Sequence, residues 1–259
     1  MSEPQPPRLL DQVRQSLRLQ HFSLKTEKSY VHYIRDFILV HNKRHPKDIG
    51  ADEIRDYLSH LAIQRKVAAS TQTVALSALL FLYRHVLQID LPYIDDIERA
   101  KRSEKLPVVF TRSEVKQILA HLDGVDFLIV SLLYGTGMRL MEGLRLRVKD
   151  VDFEYRQITV RDGKGHKDRL TMLPNTLVEL LQLQLQKAKQ LHELDRSLGY
   201  GTVEMPNALE RKYPNANRQW GWQFVFPSWK RSVDPRAEVM RRHHLDERSL
   251  QRVVKQAIQ

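Results

Sequence analysis

Residues 134–146 read YGTGMRLMEGLRL, a stretch in which two glycines precede an arginine and a helical pattern of apolar residues. Gly135 and Gly137 predict that one helix ends here, so that Arg139 stands near the start of the next helix. A guanidinium keeps its charge and can direct two N–H groups at one phosphate. Glu142 lies one helical turn further on and is expected to pair with Arg139. The stretch predicts a helix junction that presents an arginine to a phosphate or, in the simpler alternative, to solvent.

A second candidate group lies in residues 162–169, which read DGKGHKDR. Alternating apolar residues on both sides of this glycine-containing segment predict a β-hairpin, with strands near 152–161 and 168–174. Lys164 stands at the tip, where its amine can neutralise a phosphate or protonate a leaving oxygen. A solvated turn lysine is the alternative interpretation of this residue by itself.

The charge balance of the whole chain points to a polyanionic partner. The 259 residues carry 42 Lys and Arg against 31 Asp and Glu, which gives a formal net charge of +11. Nucleic acid is the commonest partner of such a chain, and a basic protein without a polyanionic partner is the alternative. A hydrophobic fraction of 42% is enough for buried cores and argues against a disordered chain.

Other features of the sequence exclude whole classes of protein. There is no cysteine, which excludes disulfides, thiolate metal sites and a cysteine nucleophile. The first residues, MSEPQPPR, contain no apolar signal segment, and no apolar run is long enough to cross a bilayer. The expectation is a cytoplasmic protein without a membrane partner.

Residues 1–92 are predicted to form an all-helical domain. Helices are predicted from Leu9, after the N-cap Ser23, and over about 52–64 and 71–87. The helix after Ser23 has its apolar residues on one face. The last helix has many small residues, which favour close packing.

Residues 93–107 keep no apolar period and are predicted to be a basic linker to a second domain over 108–259. The second domain begins with a helix capped by Thr111, changes to the hairpin described above, and returns to a long helix after Pro174. An amphipathic helix is predicted over about 246–259. The predicted fold class is therefore α+β, mainly α, with a small antiparallel sheet.

The glycine–arginine stretch followed by the lysine hairpin resembles the tyrosine recombinases, which include phage integrases, Xer-type recombinases and integron integrases. GTGMRLMEGLRL precedes GKGHKDR in the family's order. The segments SLKTEKSY and TQTVALSALLFLY are similar to the family's helical core-binding domain. The resemblance implies a C-shaped clamp of two domains around DNA, with contacts from Lys25, Thr26 and Lys28 of the first.

Residues 199–236 resemble the insertion that distinguishes integron integrases within that family. ALERKYPNA and FPS, followed by RRHHLDE beyond the insertion, carry the likeness. Integron integrases recombine folded single strands whose hairpins carry extrahelical bases, and aromatic rings among cations suit such bases. The resemblance implies that Trp222, Pro235, His243 and His244 hold these bases.

The remaining aromatic residues of the insertion have a structural interpretation. W-G-W followed by F-V-F alternates in the manner of a half-buried strand. Trp220, Phe224 and Phe226 are therefore predicted to contribute to the core.

The resemblance also implies a reaction without metal or cofactor. In the family, a tyrosine hydroxyl attacks the scissile phosphate and forms a 3′-phosphotyrosyl bond. Two arginines and a histidine stabilise charge on the phosphoryl oxygens, and a lysine protonates the departing 5′-oxygen. Arg139 and Lys164 match two of these groups, with Glu142 in support of Arg139.

The second arginine, in an H-x-x-R motif, and the nucleophilic tyrosine have no match in this sequence. His243 and His244 are followed three residues later by aspartate and glutamate, and the last tyrosine, Tyr213, lies inside the insertion. The sequence ends in LQRVVKQAIQ, a helical pattern without a terminator, which favours a truncated product, a frameshifted gene or a fragment of a longer enzyme.

The resulting expectation is a protein that binds recombination-site DNA, both duplex and folded single-strand hairpins, without cleaving it. A non-catalytic DNA-binding or regulatory protein is the alternative. Tetramers of the family form on DNA by passing a C-terminal element between protomers. The resemblance therefore implies a homo-oligomer on DNA, although this sequence contains no match to the element through which the family forms one.

Overall fold

The structure is a computed structural model, and it describes residues 7–91, 106–163, 167–206 and 209–259. Within it the chain divides into two units, Met1–Pro107 and Val108–Gln259. The linker predicted over 93–107 lies almost wholly outside the described residues. In the described ranges, no helix combines the length and the apolar character that a membrane span requires.

The described part of the first unit is helical, as the apolar periodicity predicts. It contains α1 (Leu9–Leu19), α2 (Leu24–Val40), α3 (Ala51–Ile63) and α4 (Ala69–Phe81), and α4 continues into a π-helical turn over Leu82–Leu87.

Local signals in the sequence determine how α2 starts and which face it buries. The hydroxyl of Ser23 accepts the backbone N–H of Thr26 at 3.1 Å, which confirms the predicted N-cap. Ile34 and Phe37, on the predicted apolar face, are fully buried. The ring of Tyr57 from α3 meets Phe37 edge-on, with 5.3 Å between the ring centroids. The core of the first unit therefore lies between α2 and its neighbours α3 and α4.

The second unit combines helices with two small antiparallel sheets. Its described elements are α5 (Arg112–Ala120), α6 (Gly124–Thr136), α7 (Leu140–Leu144), β1 (Val151–Asp152), β2 (Gln157–Val160), β3 (Arg169–Met172), α8 (Val178–Ser197), α9 (Leu209–Lys212), β4 (Ser232–Val233), β5 (Met240–Arg241) and α10 (Glu247–Ile258). The helices include those predicted after Thr111 and Pro174 and at 246–259.

Strands β1, β2 and β3 form one sheet in that order, which confirms the predicted hairpin and adds a short strand to it. Across β2 and β3, Ile158 faces Thr171 and Val160 faces Arg169. Because side chains alternate along a strand, Ile158 and Val160 point together into the core, and both are buried. The same register places Arg169 at the loop end of the hairpin, next to the connection between β2 and β3.

Two glycines of the 134–146 stretch allow close packing of the helices. A β-carbon on Gly135 would lie 2.8 Å from Cγ of Pro174, and one on Gly143 would lie 2.6 Å from Cδ2 of Leu133. A larger residue at either position would force the facing side chain to move. Gly143 therefore lets α7 pack directly against α6, and Gly135 lets α6 pack against Pro174, ahead of α8.

The prediction of a strand for the aromatic part of the insertion is wrong. Residues 220–222 form one turn of 3-10 helix, and Phe224, Val225 and Phe226 are buried without alternation. The reason is that this segment is covered on more than one side. The backbone of Val225 bonds to Leu146, and the side-chain amide of Gln184 donates to the Val225 carbonyl. The core role predicted for Phe224 and Phe226 is confirmed, whereas Trp220 is half-buried.

Candidate functional site

The glycine–arginine stretch forms the junction between α6 and α7. α6 ends at Thr136 and is capped by Gly137, whose φ of 65° lies in the left-handed region that favours glycine. Arg139 directly precedes α7, and 57% of its side chain is exposed. Because α7 has only five residues, the positive charge at this place is that of the guanidinium rather than that of a helix dipole.

Glu142 holds Arg139 at the junction, as their spacing predicts. Its Oε1 accepts Nη1 of Arg139 at 2.7 Å, and its Oε2 accepts the backbone N–H of Arg139 at 2.8 Å. The carboxylate is only 8% exposed, whereas the guanidinium of Arg139 is mostly in solvent. The buried carboxylate of Glu142 therefore holds the exposed guanidinium of Arg139 in place at the surface.

Arg169 is a second cation at the same carboxylate. Its Nη2 donates to Oε2 of Glu142 at 2.7 Å and its Nη1 to Oε1 at 3.1 Å, a paired contact of guanidinium and carboxylate. These hydrogen bonds are the main cause that lowers the pKa of Glu142 to about 2, and those from Arg139 add to the effect. The sequence analysis did not single out Arg169. Its only signal is its place in DGKGHKDR, at the end of the hairpin loop.

The described ends of the loop between β2 and β3, residues 161–163 and 167–168, include a glycine that lies beside this group. The loop is closed by the N–H of Gly163, which donates to the carbonyl of Lys167 at 3.1 Å, and by the N–H of Asp162, which donates to Asp168 at 2.9 Å. A β-carbon on Gly163 would lie 3.1 Å from Nη1 of Arg169 and 3.4 Å from the Glu142 carboxylate. The glycine therefore lets the loop backbone approach the ion pairs closely.

Lys164 lies outside the described residues, together with the next two positions. Its neighbour in the chain, Gly163, packs beside the carboxylate that holds Arg139. The role predicted for Lys164 as a phosphate-contacting amine stays a prediction.

Replacing Glu142 with glutamine is expected to remove a pH-dependent part of the stability of the second unit. A folded-state pKa lowered from 4.5 to about 2 stabilises the fold fully above about pH 4.5, and this contribution is lost as the pH falls toward 2. We expect Glu142→Gln to lower the free energy of unfolding at pH 7 by about 2 kcal/mol, a figure reduced by screening at the half-exposed Arg139. Urea midpoints between pH 5 and pH 3 should fall less steeply in Glu142→Gln than in the parent.

The exposed Glu154 offers a matched control for this substitution. Glu154→Gln should leave both the midpoint at pH 7 and its pH slope unchanged. If the two variants have the same pH slope as the parent, Glu142 does not contribute the predicted stability.

Trp222 lies against cations of its own chain. Nζ of Lys149 is 3.0 Å from the centroid of its ring, and the guanidinium carbon of Arg147 is 5.7 Å away. Arg147 is buried, donates to the carbonyl of Trp222 at 2.6 Å, and lies 4.6 Å from the ring centroid of Phe224. On the side covered by Lys149, the predicted base-stacking face of Trp222 already has a partner.

His244 is placed beside the same cluster. Its ring meets Phe224 edge-on, with 5.4 Å between the centroids, and Nδ1 is 2.8 Å from the carbonyl of Leu245. Burial is the main cause that lowers the pKa of His244 below its usual range. The side chain is therefore half-buried, and its predicted contact with a DNA base remains a prediction.

Pro235 and His243 belong to the β4–β5 hairpin. Pro235 is exposed in the turn, which is closed by Asp234: one carboxylate oxygen accepts the N–H groups of the two residues after Pro235, at 2.9 and 3.0 Å. Nε2 of His243 lies 3.9 Å from the other oxygen of Asp234. The structure thus brings Pro235 and His243 onto one hairpin, and it brings Trp222 and His244 onto the neighbouring aromatic cluster.

Trp229 is an exposed aromatic residue that the sequence analysis did not assign. It is 80% exposed, in the turn that leads into β4. Its carbonyl accepts Nη1 of Arg242 at 2.8 Å, and Arg242 is held in turn by the buried Asp195. The available signal in the sequence is its polar surroundings in SWKRS, which differ from the WGW segment that holds the other two tryptophans.

Glu204, Asp234 and His243 offer ligand atoms within 4.8 Å of one another, the spacing that a metal ion needs, within the ranges that the structure describes. However, Asp234 already accepts two backbone N–H groups, and its other oxygen is 3.9 Å from Nη1 of the buried Arg241. A cation bound there would lie next to a buried guanidinium. The arrangement is that of a hydrogen-bonded turn.

The residues of the first unit that are predicted to contact DNA lie on α2. Lys25 and Lys28 are exposed, and the hydroxyl of Thr26 is hydrogen-bonded to that of Ser23 at 2.9 Å. Lys28 also lines a groove of about 260 Å³ between α1 and α2, together with Arg14, Glu27, Val31, His32 and Arg35. This surface of the first unit is rich in positive charge, which suits a phosphate backbone.

Comparison with known proteins gives matches along most of the chain. Residues 9–93 match the family described as "Phage integrase, N-terminal SAM-like domain", and residues 109–259 match the "Phage integrase family". Two proteins named "Integrase/recombinase", from Escherichia coli and Pseudomonas aeruginosa, are each 48% identical over 260 residues, which covers 99% of this chain and 77% of theirs. Tyrosine recombinase XerA of Thermococcus kodakarensis is 32% identical over 193 residues, or 72% of this chain and 64% of XerA.

Two solved structures share the fold. A lambda integrase(75–356) dimer bound to a COC' core site aligns with a TM-score of 0.59 at 16% identity, over 96% of this chain and 76% of that one. A lambda integrase tetramer bound to a Holliday junction aligns with a TM-score of 0.57 at 16% identity, over 96% and 62% of the two chains. At this level of identity the likeness concerns the fold alone, and it agrees with the predicted class of helices with small antiparallel sheets.

Proposed function

The chain belongs to the phage integrase family of site-specific tyrosine recombinases, and on this premise we propose that residues 1–259 bind recombination sites of the integron type without cleaving them. The observation that carries the proposal is the exposed guanidinium of Arg139, held by the buried carboxylate of Glu142 beside the loop that continues to Lys164. In this proposal Arg139 contacts the scissile phosphate and Lys164 approaches the leaving oxygen. These groups supply charge and a proton, but no nucleophile.

The absence of cleavage follows from the groups that the sequence offers. Residues 214–259 contain no tyrosine, and Tyr213 stands inside the insertion. No histidine after the insertion has arginine three positions later. The 259-residue polypeptide is therefore expected to hold a phosphate without attacking it. A longer polypeptide that contains these residues and supplies both missing groups is expected to cleave.

The preference for folded single strands is supported by the insertion. Trp229 is 80% exposed and Pro235 stands at a hairpin turn, and Lys230 and Arg236 are exposed close by in the sequence. An exposed indole among cations can stack on a base that has left the helix while the cations meet its phosphates. Duplex DNA offers phosphates but no free base face, so this part of the contact is specific to hairpins with extrahelical bases.

Fluorescence anisotropy with labelled DNA tests the binding part of the proposal. We expect binding to duplex and hairpin sites, with affinity falling steeply between about 50 and 200 mM salt because phosphate contacts release counterions. Arg139→Ala should weaken binding to both sites. Trp229→Ala should weaken binding to the hairpin about tenfold, as expected for the loss of one stacked base, and should leave duplex binding unchanged.

Tyr155, an aromatic residue that is 74% exposed outside the insertion, provides the matched control. Tyr155→Ala should bind both DNA forms like the parent. The absence of salt-dependent binding on both forms would remove the proposal. An equal loss of affinity for duplex and hairpin DNA in Trp229→Ala would contradict the proposed preference for folded single strands.

A suicide DNA substrate, nicked so that a cleaved strand cannot be resealed, tests the second part. Denaturing electrophoresis of the 259-residue polypeptide with this substrate should give no covalent protein–DNA adduct. An adduct would mean that a residue in this chain is a nucleophile, and the claim of binding without cleavage would be withdrawn.

A further inference from the structure

Glu142 is shared by two arginines that have different surroundings. Each oxygen of its carboxylate accepts a hydrogen bond from the guanidinium of Arg169. Each also accepts one from Arg139, from its backbone N–H or from its guanidinium. The side chain of Arg139 is 57% exposed and that of Arg169 is 36% exposed. One buried negative charge is thus balanced by two positive charges, of which Arg139 is the more accessible.

We propose that Arg169 is a positioning residue: it neutralises Glu142 so that Arg139 can turn from this carboxylate to a DNA phosphate. The inference rests on the proposed function, because it assigns a phosphate to Arg139. Arg169 itself is not expected to touch the DNA, since its two terminal nitrogens are both engaged with Glu142.

Movement of Arg139 away from Glu142 would leave the carboxylate without one of its two cations. A buried carboxylate that loses its only cation is strongly destabilised, because no solvent replaces the lost interaction. With Arg139 alone, a DNA phosphate would have to compete against the full attraction of Glu142. With Arg169 in place, Glu142 keeps a paired guanidinium after Arg139 has moved, so the phosphate competes against a smaller attraction.

The structure fixes the position from which Arg169 neutralises Glu142. It is the first residue of β3, where its backbone pairs with that of Val160. Its Nη1 also lies beside Gly163, at 3.1 Å from where a β-carbon would be. Arg169 therefore lies against both Glu142, which holds Arg139, and Gly163 of the hairpin loop.

A double-mutant cycle tests whether Arg169 acts through the charge of Glu142. Anisotropy with a labelled duplex site is measured for the parent, Arg169→Gln, Glu142→Gln and the double variant. Arg169→Gln should bind about tenfold more weakly, because Glu142 then retains Arg139. In the double variant the carboxylate charge is gone, and binding should return to within about threefold of the parent. A role of Arg169 in direct DNA contact or in structure alone predicts no such recovery.

Two further variants control for charge and for geometry. Arg156→Gln removes an exposed arginine from the other end of the hairpin and should change binding less than about twofold. Arg169→Lys keeps the charge but can make only one of the two parallel bonds, so its affinity should lie between the parent and Arg169→Gln. Circular dichroism melting of each variant identifies those that fail to fold.

The pH dependence gives an independent readout. Among the described residues, the charged groups that face Glu142 are Arg139 and Arg169, so Arg169→Gln removes the stronger of two influences that lower its pKa. In Arg169→Gln, acidification from pH 7 to pH 4.5 should begin to protonate Glu142, release Arg139 and strengthen DNA binding. The parent should show no gain of this origin, because its Glu142 stays ionised in that range.

The outcomes separate this inference from the function on which it rests. If the parent does not bind DNA, the proposed function fails. If the parent binds but the double variant is as weak as Arg169→Gln, or Arg169→Gln binds like the parent, the positioning role is overturned and the proposed function stands.

Discussion

Replacement of Arg147 by methionine is expected to lower the free energy of unfolding of the second unit by about 3 kcal/mol. Arg147 is 8% exposed, and its guanidinium donates to the carbonyls of Trp222 at 2.6 Å and Glu204 at 2.8 Å. Burial is strong enough to lower its pKa to about 10. Methionine has a similar length but no donor, so two carbonyls of the insertion would lose their partners. The contact between the insertion and the segment that precedes β1 should therefore weaken.

Tryptophan fluorescence during urea unfolding measures this effect. All three tryptophans of the sequence lie between 220 and 229, so the signal reports on the second unit. Arg145→Met is the matched control, because Arg145 is exposed two positions earlier, and its effect should stay below about 0.5 kcal/mol. Equal effects of the two substitutions would show that Arg147 does not anchor the insertion.

Replacement of Asp195 by alanine should lower the stability of the same unit by about 3–5 kcal/mol, the range for removing one partner of a buried ion pair. Asp195 is 3% exposed, near the end of α8. Its carboxylate accepts Nε and Nη2 of Arg242 at 2.5 and 2.8 Å, and Nη1 of Arg231 lies 3.7 Å away. Without it, the mostly buried Arg242 would keep its charge and lose its anion.

The control for Asp195→Ala is Glu193→Ala, an exposed acidic residue two positions earlier on the same helix. We expect this control to change the urea midpoint very little. Because Arg242 also donates to the carbonyl of Trp229, Asp195→Ala should in addition reduce hairpin binding toward the level of Trp229→Ala. A variant that unfolds like the parent would contradict the predicted role of the ion pair.

The parts of the fold that sequence analysis predicted depend on neighbours in the chain. Ser23 caps α2 through a residue three positions away, and Thr111 and Glu114 form the reciprocal hydrogen bonds of a capping box before α5. The hairpin over β2 and β3 is likewise encoded by alternation and a glycine-containing loop. Such signals act over a few residues, so they can be read without knowing the tertiary structure.

The parts that were missed depend on contacts between distant residues. Arg169 meets Glu142 across 27 positions, and Arg147 meets Trp222 across 75. Nothing in the local pattern distinguishes these arginines from exposed ones. The strand predicted near Phe224 failed for a related reason, because alternation predicts a strand with one wet face, whereas this segment is buried on both. The spacing of Arg139 and Glu142 was local, and their ion pair was predicted correctly.

The ammonium of Lys149, 3.0 Å from the ring centroid of Trp222, has a consequence for any ligand of that ring. A base that stacks on this face must displace the ammonium, so the contact is an exchange of one ring partner for another. The net gain is the difference between two attractions of similar size rather than the full value of either. If a base does stack there, the displaced Lys149 would be free to neutralise a phosphate of the same nucleotide.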